Sequence, residues 1–179
     1  EDAVDFVKEI DFAEYDEADV HAEKERVLAP TLREDGIPPN QLEYKTRRLV
    51  NDYLQPPKVT RKMQLAQDRF AETRNDMEQA MVVTNAHELM RSLEVASIMD
   101  CADMAAHASL FRTESRWGLY HNRADFPERD NENWFCHSLL SKNSSGAMSI
   151  EKKAVEPYII PIDEEEKDAY HQQRVKVNS

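Results

Sequence analysis

The sequence predicts a mainly α-helical protein, a three- to four-helix bundle with a long loop and a small two-stranded β appendage. Three observations lead to this fold class. Apolar residues recur at helical spacing over the first two thirds of the 179 residues. Proline, glycine, aspartate and asparagine interrupt that periodicity after Phe111. Two extended segments then flank an Asn-Ser-Ser-Gly sequence, which is typical of a hairpin turn.

Two helices are predicted in the N-terminal third of the chain. Residues 17–29 have helical composition and stop at Pro30, a residue that breaks helices. Residues 40–54 form a second, amphipathic helix, which stops at Pro56. The apolar face of this second helix is predicted to contain Leu42, Leu49, Val50 and Tyr53.

Two longer helices are predicted next, each behind a capping residue. Thr60 is expected to cap a helix over 61–81, and Asn85 a helix over 86–112. The last helix is apolar over much of its circumference from Leu93 to Phe111, so we expect it to be the buried spine of the bundle. The apolar side of the helix before it is predicted to contain Leu65, Phe70, Met77 and Met81.

The C-terminal part is predicted to be extended and then acidic. Residues 134–142 and 147–162 have the composition of two strands. The acidic run from Asp163 is expected to form a short helix or a frayed end. We therefore divide the chain into three parts: 1–59, an N-terminal helical or linker segment from a preceding domain; 60–162, a helical domain with a β-hairpin; and 163–179, an acidic tail.

Composition and charge exclude several classes of function. The net charge of −12 argues against a nucleic-acid partner and against an anionic membrane surface. No run of about 18 uncharged apolar residues occurs, so we expect no direct membrane insertion. Two cysteines are too few for a disulfide framework and indicate a reducing, cytoplasmic setting. Only three glycines are present, without a Gly-rich motif, so the chain is not expected to build the usual nucleotide site by itself.

Two histidine-containing patterns suggest metal binding, and both have simpler explanations. His87-Glu88 would begin a zinc-protease helix only if a second histidine followed four residues later, but Arg91 stands there. Asp103 and His107 lie one helical turn apart, and two ligands do not make a metal site. We expect them to form an ion pair on the helix surface.

The cysteines are not expected to act as nucleophiles. Cys101 lies between apolar residues in the middle of a predicted helix, so we expect it in the core. Cys136 and His137 are adjacent on a predicted strand, where successive side chains point to opposite faces. They therefore make a poor catalytic pair, because a nucleophile needs its base within hydrogen-bond reach.

The stretch 114-ESRWGLYHNRADFPERDNENW-134 concentrates arginines, acids and aromatic residues. Its arginines could bind a dicarboxylate or an anionic sulfur substrate, because guanidinium groups match such oxyanions. Alternatively, they pair with the neighbouring acids, and the loop docks onto another domain. We favour docking, because no acid–base or nucleophilic pair stands out, and we assign no catalytic or metal-binding residue. The candidate docking residues are Ser115, Arg116, Tyr120, His121, Arg123, Asp125 and Arg129.

This stretch resembles the pattern E-S-R-G-x-H-x-R-x-D-(Y/F)-P-x-R-D-D-x-N-W in the C-terminal helical domain of fumarate reductase and succinate dehydrogenase flavoproteins. The preceding AHELMRSLEVASIMDCADMAAHASLFRTESR is similar to the helix that leads into that pattern. The closing 157-PYIIPID-163 fits the end of the two-stranded element of such domains. The aromatic SRWGLYHNRADF is also similar to the S-R-Y-x-x-x-Y-x-R-A-D-F stretch of the adenylylsulfate reductase α-subunit. The resemblance covers residues 60–162.

The resemblance implies that the chain is the C-terminal helical domain of an FAD-dependent oxidoreductase. The parent enzyme would transfer electrons between FAD and a small dicarboxylate such as succinate or fumarate, with adenylylsulfate as the second candidate. FAD would be held by a separate Rossmann-type domain of the same or a companion chain. A ferredoxin-like iron–sulfur subunit would be the electron partner, since each cluster needs four thiolates. Two other hypotheses stay open: a stand-alone helical module that docks onto a flavoprotein, and an unrelated bundle.

Overall fold

A computed structural model describes residues 2–10, 14–143 and 147–155 of the protein. Within these ranges the chain forms helices and one small antiparallel sheet, so the predicted fold class is confirmed. The helices are α1 (Asp2–Glu9), α2 (Glu17–Leu28), α3 (Pro39–Tyr53), α4 (Thr60–Ala80), α5 (Ala86–Phe111) and the single turn α6 (Asn131–Trp134). The strands are β1 (Cys136–Lys142) and β2 (Met148–Ala154).

Helices α3, α4 and α5 pack against each other around one hydrophobic core. On α4 the buried side chains follow helical spacing, since Met63, Ala66, Phe70 and Met77 lie on one face. Leu42 of α3 completes this core from the opposite side. The helix before residue 59 therefore shares its core with the helices after it. The proposed division at residue 59 stays a prediction.

The buried face of α5 is narrower than the sequence predicts, and its side chains are smaller. It contains Ser92, Val95, Met99, Ala102, Ala106 and Ser109. Small residues at four of these six positions let the helix backbones approach closely. The expected buried spine is confirmed on this one face only, because Leu93 and Met104 within the predicted apolar stretch are exposed. Cys101 is exposed too, which corrects its predicted place in the core.

The predicted face of α4 also needs one correction. Phe70, Met77 and Met81 are buried as expected, but Leu65 is exposed and Met63 takes the core position. Leu65 lies two positions after Met63, so the two side chains point in directions about 200° apart on a helix. Met63 and Leu65 were both apolar candidates for this core position, and the packing of α4 against α3 and α5 buries Met63.

The two predicted helix caps differ in outcome. Asn85 caps α5 as expected, since its side chain accepts the Glu88 N–H at 3.0 Å. Thr60 is the first residue of α4 rather than its cap, and Val59 at the cap position provides no side-chain hydrogen bond. The Thr60 N–H is instead bound by Asp125 at 2.8 Å, from the distant loop. A long-range contact therefore replaces the local cap.

The β-hairpin follows α6 directly. Strand β1 begins at Cys136 rather than at Trp134, because Trp134 ends the turn of α6 and packs its ring at 90° to Phe111. The strands are antiparallel, with Leu139 opposite Glu151. The centre of the predicted turn, residues 144–146, and the predicted strand and tail from residue 156 onward lie outside the described residues. None of the described helices is long and apolar enough to cross a membrane.

Helices α1 and α2 contribute no described residue to the hydrophobic core. Helix α2 ends near residue 29, as predicted, and is followed by a short 3-10 helix, Ala29–Leu32. It has no buried residue. Residues 2–9, for which no helix was predicted, form α1, whose Val4, Phe6 and Val7 are exposed.

Candidate functional site

The candidate residues lie in the segment 112–135 between α5 and β1, which we call the arginine loop. The loop folds back sharply after Arg116, whose N–H donates to the His121 carbonyl at 2.9 Å. Trp117 and Gly118 both have left-handed backbone conformations at this reversal, with φ of 61° and 59°. A tryptophan rarely adopts this conformation. The reversal places residues 117–120 on the outside of the molecule.

Glu114 is the centre of one buried ion-pair cluster. Its side chain is fully buried and accepts hydrogen bonds from two arginines. Arg112 donates through Nη1 at 2.5 Å, and Arg116 donates through Nε at 2.6 Å and Nη2 at 2.9 Å. The Asp130 N–H adds a fourth bond at 2.9 Å. Burial raises the pKa of the Glu114 carboxyl, but the bonds from Arg116, Asp130 and Arg112 outweigh this and lower the pKa overall.

Arg112 joins this cluster to the hairpin. Its guanidinium donates to the carbonyls of Trp134 at 2.8 Å and Cys136 at 2.5 Å. The same group contacts the rings of Trp117 and Trp134, with 5.5 and 5.3 Å to the ring centroids. Arg112 thus fixes the position of β1 relative to the end of α5.

Arg123 is the centre of the second cluster and is fully buried. It forms a two-bond pair with Asp125, through Nε at 2.8 Å and Nη2 at 2.9 Å. Its Nη1 donates to the carbonyls of Ser109 and Arg112 at the C-terminal end of α5. Asp125 in turn binds the N-terminal residue of α4, Thr60. The pair therefore puts a positive charge at a helix C-terminus and a negative charge at a helix N-terminus, both favourable for the helix dipoles.

The pKa of the Asp125 carboxyl reflects these contacts. The hydrogen bond from Arg123 is the largest influence, and bonds from Thr60 add to it, so the pKa lies well below its ordinary value despite an opposing effect of burial. Ser115 supports the same cluster, because its hydroxyl accepts the Arg123 N–H at 2.8 Å and donates to the Phe126 carbonyl at 2.8 Å.

His121 is buried between the two clusters. Its Nε2 lies 3.2 Å from the Arg112 carbonyl. A carbonyl only accepts, so Nε2 carries the proton in the neutral ring. Burial lowers the pKa of His121 to about 4 against the opposing effect of the hydrogen bond with the Arg112 carbonyl, and the positive charges of Lys58, Arg123 and Arg112 lower it further. The imidazole is therefore neutral at pH 7.

The remaining two candidates lie outside these clusters. The Tyr120 side chain is 84% exposed, beside the exposed Leu119 and Trp117. Arg129 donates to Asn131 at 2.9 Å, and Arg116 donates to the same amide oxygen. The structure thus brings Ser115, Arg123 and Asp125 together, and it places Arg116 and His121 next to them through the backbone. The predicted pairing of arginines with neighbouring acids is confirmed for Arg116 and Arg123.

Several residues of the site were not predicted from the sequence. Arg112 and Thr60 were assigned to helix ends, and Lys58 to a linker, although all three contact the clusters. The Lys58 N–H and C=O pair with the loop backbone at Asn122 and Ala124. The signal for Arg112 was available, since this arginine directly follows the apolar residues Leu110 and Phe111 and lies two residues before Glu114. Thr60 is 65 residues from Asp125, and nothing local connects them.

The other histidine and cysteine pairs considered from the sequence lie outside the arginine loop. His107 Nδ1 lies 3.2 Å from Asp103 Oδ1, so the two side chains are in contact as the helical spacing predicts. Cys136 is half-buried while His137 is exposed, so the two side chains alternate as expected. In the described ranges, no three His, Cys, Asp or Glu side chains come close enough to share a metal ion.

The buried arginines of the loop and Gly36 do not form a phosphate-binding site. The arginines that would bind its phosphates already bind Glu114, Asp125 and backbone carbonyls. Gly36 does not form a phosphate-binding turn, because a Cβ there would lie 2.1 Å from the Ala80 carbonyl oxygen. Close packing against α4 explains this glycine.

The fold and the loop together define a mainly helical domain whose buried charges are paired within the domain itself. Comparison with known proteins gives the family. The sequence profile described as "Fumarate reductase flavoprotein C-term" matches residues 44–169, most of the chain. The chain belongs to this family, the C-terminal domain of fumarate reductase and succinate dehydrogenase flavoproteins.

Individual relatives agree with this assignment. The chain is 33% identical over 97 residues to the fumarate reductase flavoprotein subunit of Haemophilus influenzae, a match that covers 52% of this chain and 16% of that protein. The chain thus spans about one sixth of the length of that relative. Its fold is similar to adenylylsulfate reductase from Archaeoglobus fulgidus, with a TM-score of 0.74 and 24% identity over 84% of this chain and 26% of the other. Quinol fumarate reductase of E. coli gives a TM-score of 0.69 at 19% identity, covering 85% and 27%.

Proposed function

We propose that this chain is the docking domain of an FAD-dependent oxidoreductase that transfers electrons between FAD and a small dicarboxylate. FAD is held by a flavin-binding domain of the same or a companion chain. An iron–sulfur, ferredoxin-like subunit is the electron partner. The arginine loop faces the flavin-binding domain and stabilises its own domain for that contact.

The observation that carries this proposal is the complete internal pairing of the loop's buried charges. The guanidinium groups of Arg112, Arg116 and Arg123 donate hydrogen bonds to Glu114, Asp125 and backbone carbonyls. An arginine that binds substrate needs free donors directed into a cleft, and these side chains are buried instead. The loop therefore supports structure, and reaction with substrate is assigned to another part of the enzyme.

The outer side of the loop supports docking. Trp117, Leu119 and Tyr120 are 58%, 76% and 84% exposed, and they are neighbours on one reversal of the backbone. Adjacent large apolar side chains in water mark surfaces that another protein covers. Aromatic residues are also enriched at such contacts.

The substrate class follows from family membership. The curated relatives are named fumarate reductase and succinate dehydrogenase flavoprotein subunits, and this favours a dicarboxylate. The fold similarity to adenylylsulfate reductase supplies the second candidate. A stand-alone module that docks onto a separately encoded flavoprotein is the alternative to a covalently joined flavin domain.

The test begins with the native protein, captured from its own cells with an antibody against this chain. We expect a flavin absorbance band with one FAD per copy of the chain, and succinate oxidation with an artificial electron acceptor. A polypeptide several times larger than 20.8 kDa indicates a joined flavin domain. A 20.8 kDa band that co-purifies with a flavoprotein indicates the stand-alone module. Captured protein without flavin contradicts the proposal, and activity with adenylylsulfate in place of succinate changes the substrate.

A further inference from the structure

An open cleft of about 450 Å³ lies beside the arginine loop and is not explained by the ion pairs within it. One wall comes from the residues that follow α3, namely Leu54, Gln55 and Pro56. Leu119 and Tyr120 of the loop's reversal form the other wall. Lys58 lines the cleft between them. The cleft thus combines largely apolar walls, in which Gln55 is polar, with a single cationic group.

The Lys58 ammonium has no carboxylate partner among the described residues. Its described hydrogen bond is the one it donates to the Ser109 hydroxyl at 2.8 Å. Burial lowers the pKa of this amine, and the nearby positive charge of Arg123 lowers it further. Half-buried charges in folded proteins usually have an opposite charge close by. Lys58 therefore lacks the kind of partner that its neighbour Arg123 has in Asp125.

The charged group that acts on Lys58 is also positive. The positive charge of Arg123 affects Lys58, and the carboxylate of Asp125 already accepts two hydrogen bonds from Arg123. No carboxylate among the described residues therefore compensates the Lys58 ammonium. An incoming carboxylate would be stabilised here.

We propose that the cleft formed by Leu54, Pro56, Lys58, Leu119 and Tyr120 receives an acidic side chain of the flavin-binding domain, whose carboxylate pairs with Lys58. The inference rests on the proposed function. A protein side chain fits better than a free anion, because Leu119 and Tyr120 are largely exposed around the charge. A small anion would leave both in water, whereas a protein surface covers them and strengthens the ion pair by excluding solvent.

Backbone hydrogen bonds hold Lys58 in position before a partner binds. The Lys58 N–H donates to the Asn122 carbonyl at 2.7 Å, and the Lys58 carbonyl accepts the Ala124 N–H at 2.9 Å. The lysine and the loop are thus held as one unit on both sides of the cleft. Little conformational entropy is lost when a partner binds such a fixed surface.

The test uses the assembled protein, in which this chain is present together with its flavin-binding domain. A carbodiimide joins an amine to a carboxylate that is in direct contact, and peptide mass spectrometry identifies the two residues. We expect Lys58 to be joined to an Asp or Glu of the flavin-binding domain. Reaction of lysines with an acetylating reagent gives the second readout. Lys58 should lose reactivity in the assembled protein relative to the 179-residue chain, and the exposed Lys62 on α4 should not.

A charge-reversal pair completes the design. Lys58→Glu should weaken the contact, and exchange of the cross-linked acid for lysine should restore it, while Lys62→Glu should have no effect. Cross-links elsewhere between the two domains, with Lys58 fully reactive, overturn the cleft assignment and leave the docking function intact. Protection of Lys58 in the 179-residue chain by succinate or inorganic phosphate alone overturns the assignment to a protein side chain. If assembly produces neither a cross-link between the domains nor a change in the reactivity of any lysine of this chain, the docking function and this assignment fail together.

Discussion

Replacing Glu114 with glutamine should destabilise the protein strongly, because this carboxylate is the negative charge between Arg112 and Arg116. Its side chain is fully buried and accepts four hydrogen bonds, three from the arginines and one from the Asp130 N–H. Glutamine has nearly the same shape, so the change removes charge with little loss of packing. The amide nitrogen of glutamine must also face at least one guanidinium donor.

The expected loss of stability follows from the buried arginine charges that lose their carboxylate partner. Removal of one partner from a buried ion pair costs about 3–5 kcal/mol, because the other charge stays buried without compensation. That is a large share of the roughly 5–15 kcal/mol by which a domain is stable. With a urea m-value of about 2.5 kcal/mol/M, within the ordinary range, the unfolding midpoint should fall by about 1.2–2 M.

The assay is urea unfolding of the 179-residue chain, followed by circular dichroism at pH 7. Glu128→Gln is the matched control, since Glu128 is exposed, and its midpoint should stay at the wild-type value. In the double variant Glu114→Gln/Arg116→Met, the loss of unfolding free energy should be smaller than the sum of the losses in the two single variants. The reason is that the second change removes the Arg116 charge that Glu114→Gln leaves uncompensated. A midpoint shift below about 0.4 M for Glu114→Gln, equivalent to roughly 1 kcal/mol at this m-value, would refute the assignment of Glu114 as the essential counter-charge.

Three further changes test other parts of the structure. His121 has a pKa of about 4 in the folded protein, below the ordinary 6.5 of an imidazole, so the stability that its neutral form contributes is present above pH 6.5 and is lost as pH falls towards 4. His121→Gln should remove roughly 2.4 kcal/mol of that pH dependence, measured as the unfolding free energy at pH 7 and at pH 4.5. Asp125→Asn should cost about 2–4 kcal/mol in urea unfolding, because it leaves the buried Arg123 unpaired, whereas exposed Asp68→Asn should be neutral. Gly36→Ala should lower the midpoint of thermal unfolding, because φ is 154° and a Cβ would meet the Ala80 carbonyl oxygen. Gly118→Ala, whose Cβ would meet no atom, should cost only about 1–2 kcal/mol of stability for its left-handed conformation. Equal losses of stability for the two glycine variants would show that the contact with Ala80 is unimportant.

The sequence predicted the elements that depend on local patterns. Helices α3, α4 and α5 were found within a few residues, because apolar periodicity, Asn85 and the prolines after α3 are signals that a short window contains. The same reasoning misplaced Cys101 and Leu65. Both are apolar residues on long helices, and only the positions of the neighbouring helices decide which side is covered.

The site was harder to predict, because its key contacts join distant parts of the chain. Pairing of the loop's arginines with neighbouring acids was expected, and the structure identifies the pairs as Arg116 with Glu114 and Arg123 with Asp125. The bond from Thr60 to Asp125 was not, because it depends on how the start of α4 meets the loop. Long-range contacts of this kind follow from the packing of the bundle rather than from any motif.

The two ion-pair clusters explain why so many charges are buried in a domain to which we assign no catalytic residue. The end of α5, the start of α4 and the hairpin meet at the loop, and each presents backbone groups that need partners. Arg123 binds carbonyls at the end of α5, and Asp125 binds the first N–H of α4. Arg112 binds the carbonyls of Trp134 and Cys136 before the hairpin. A hydrophobic loop could not satisfy these groups, so the charges fix the relative positions of three elements and hold the exposed reversal at Trp117 in one place. Such a fixed surface is what docking onto a flavin-binding domain requires, and the loss of stability in Glu114→Gln should therefore be accompanied by a weaker contact with that domain.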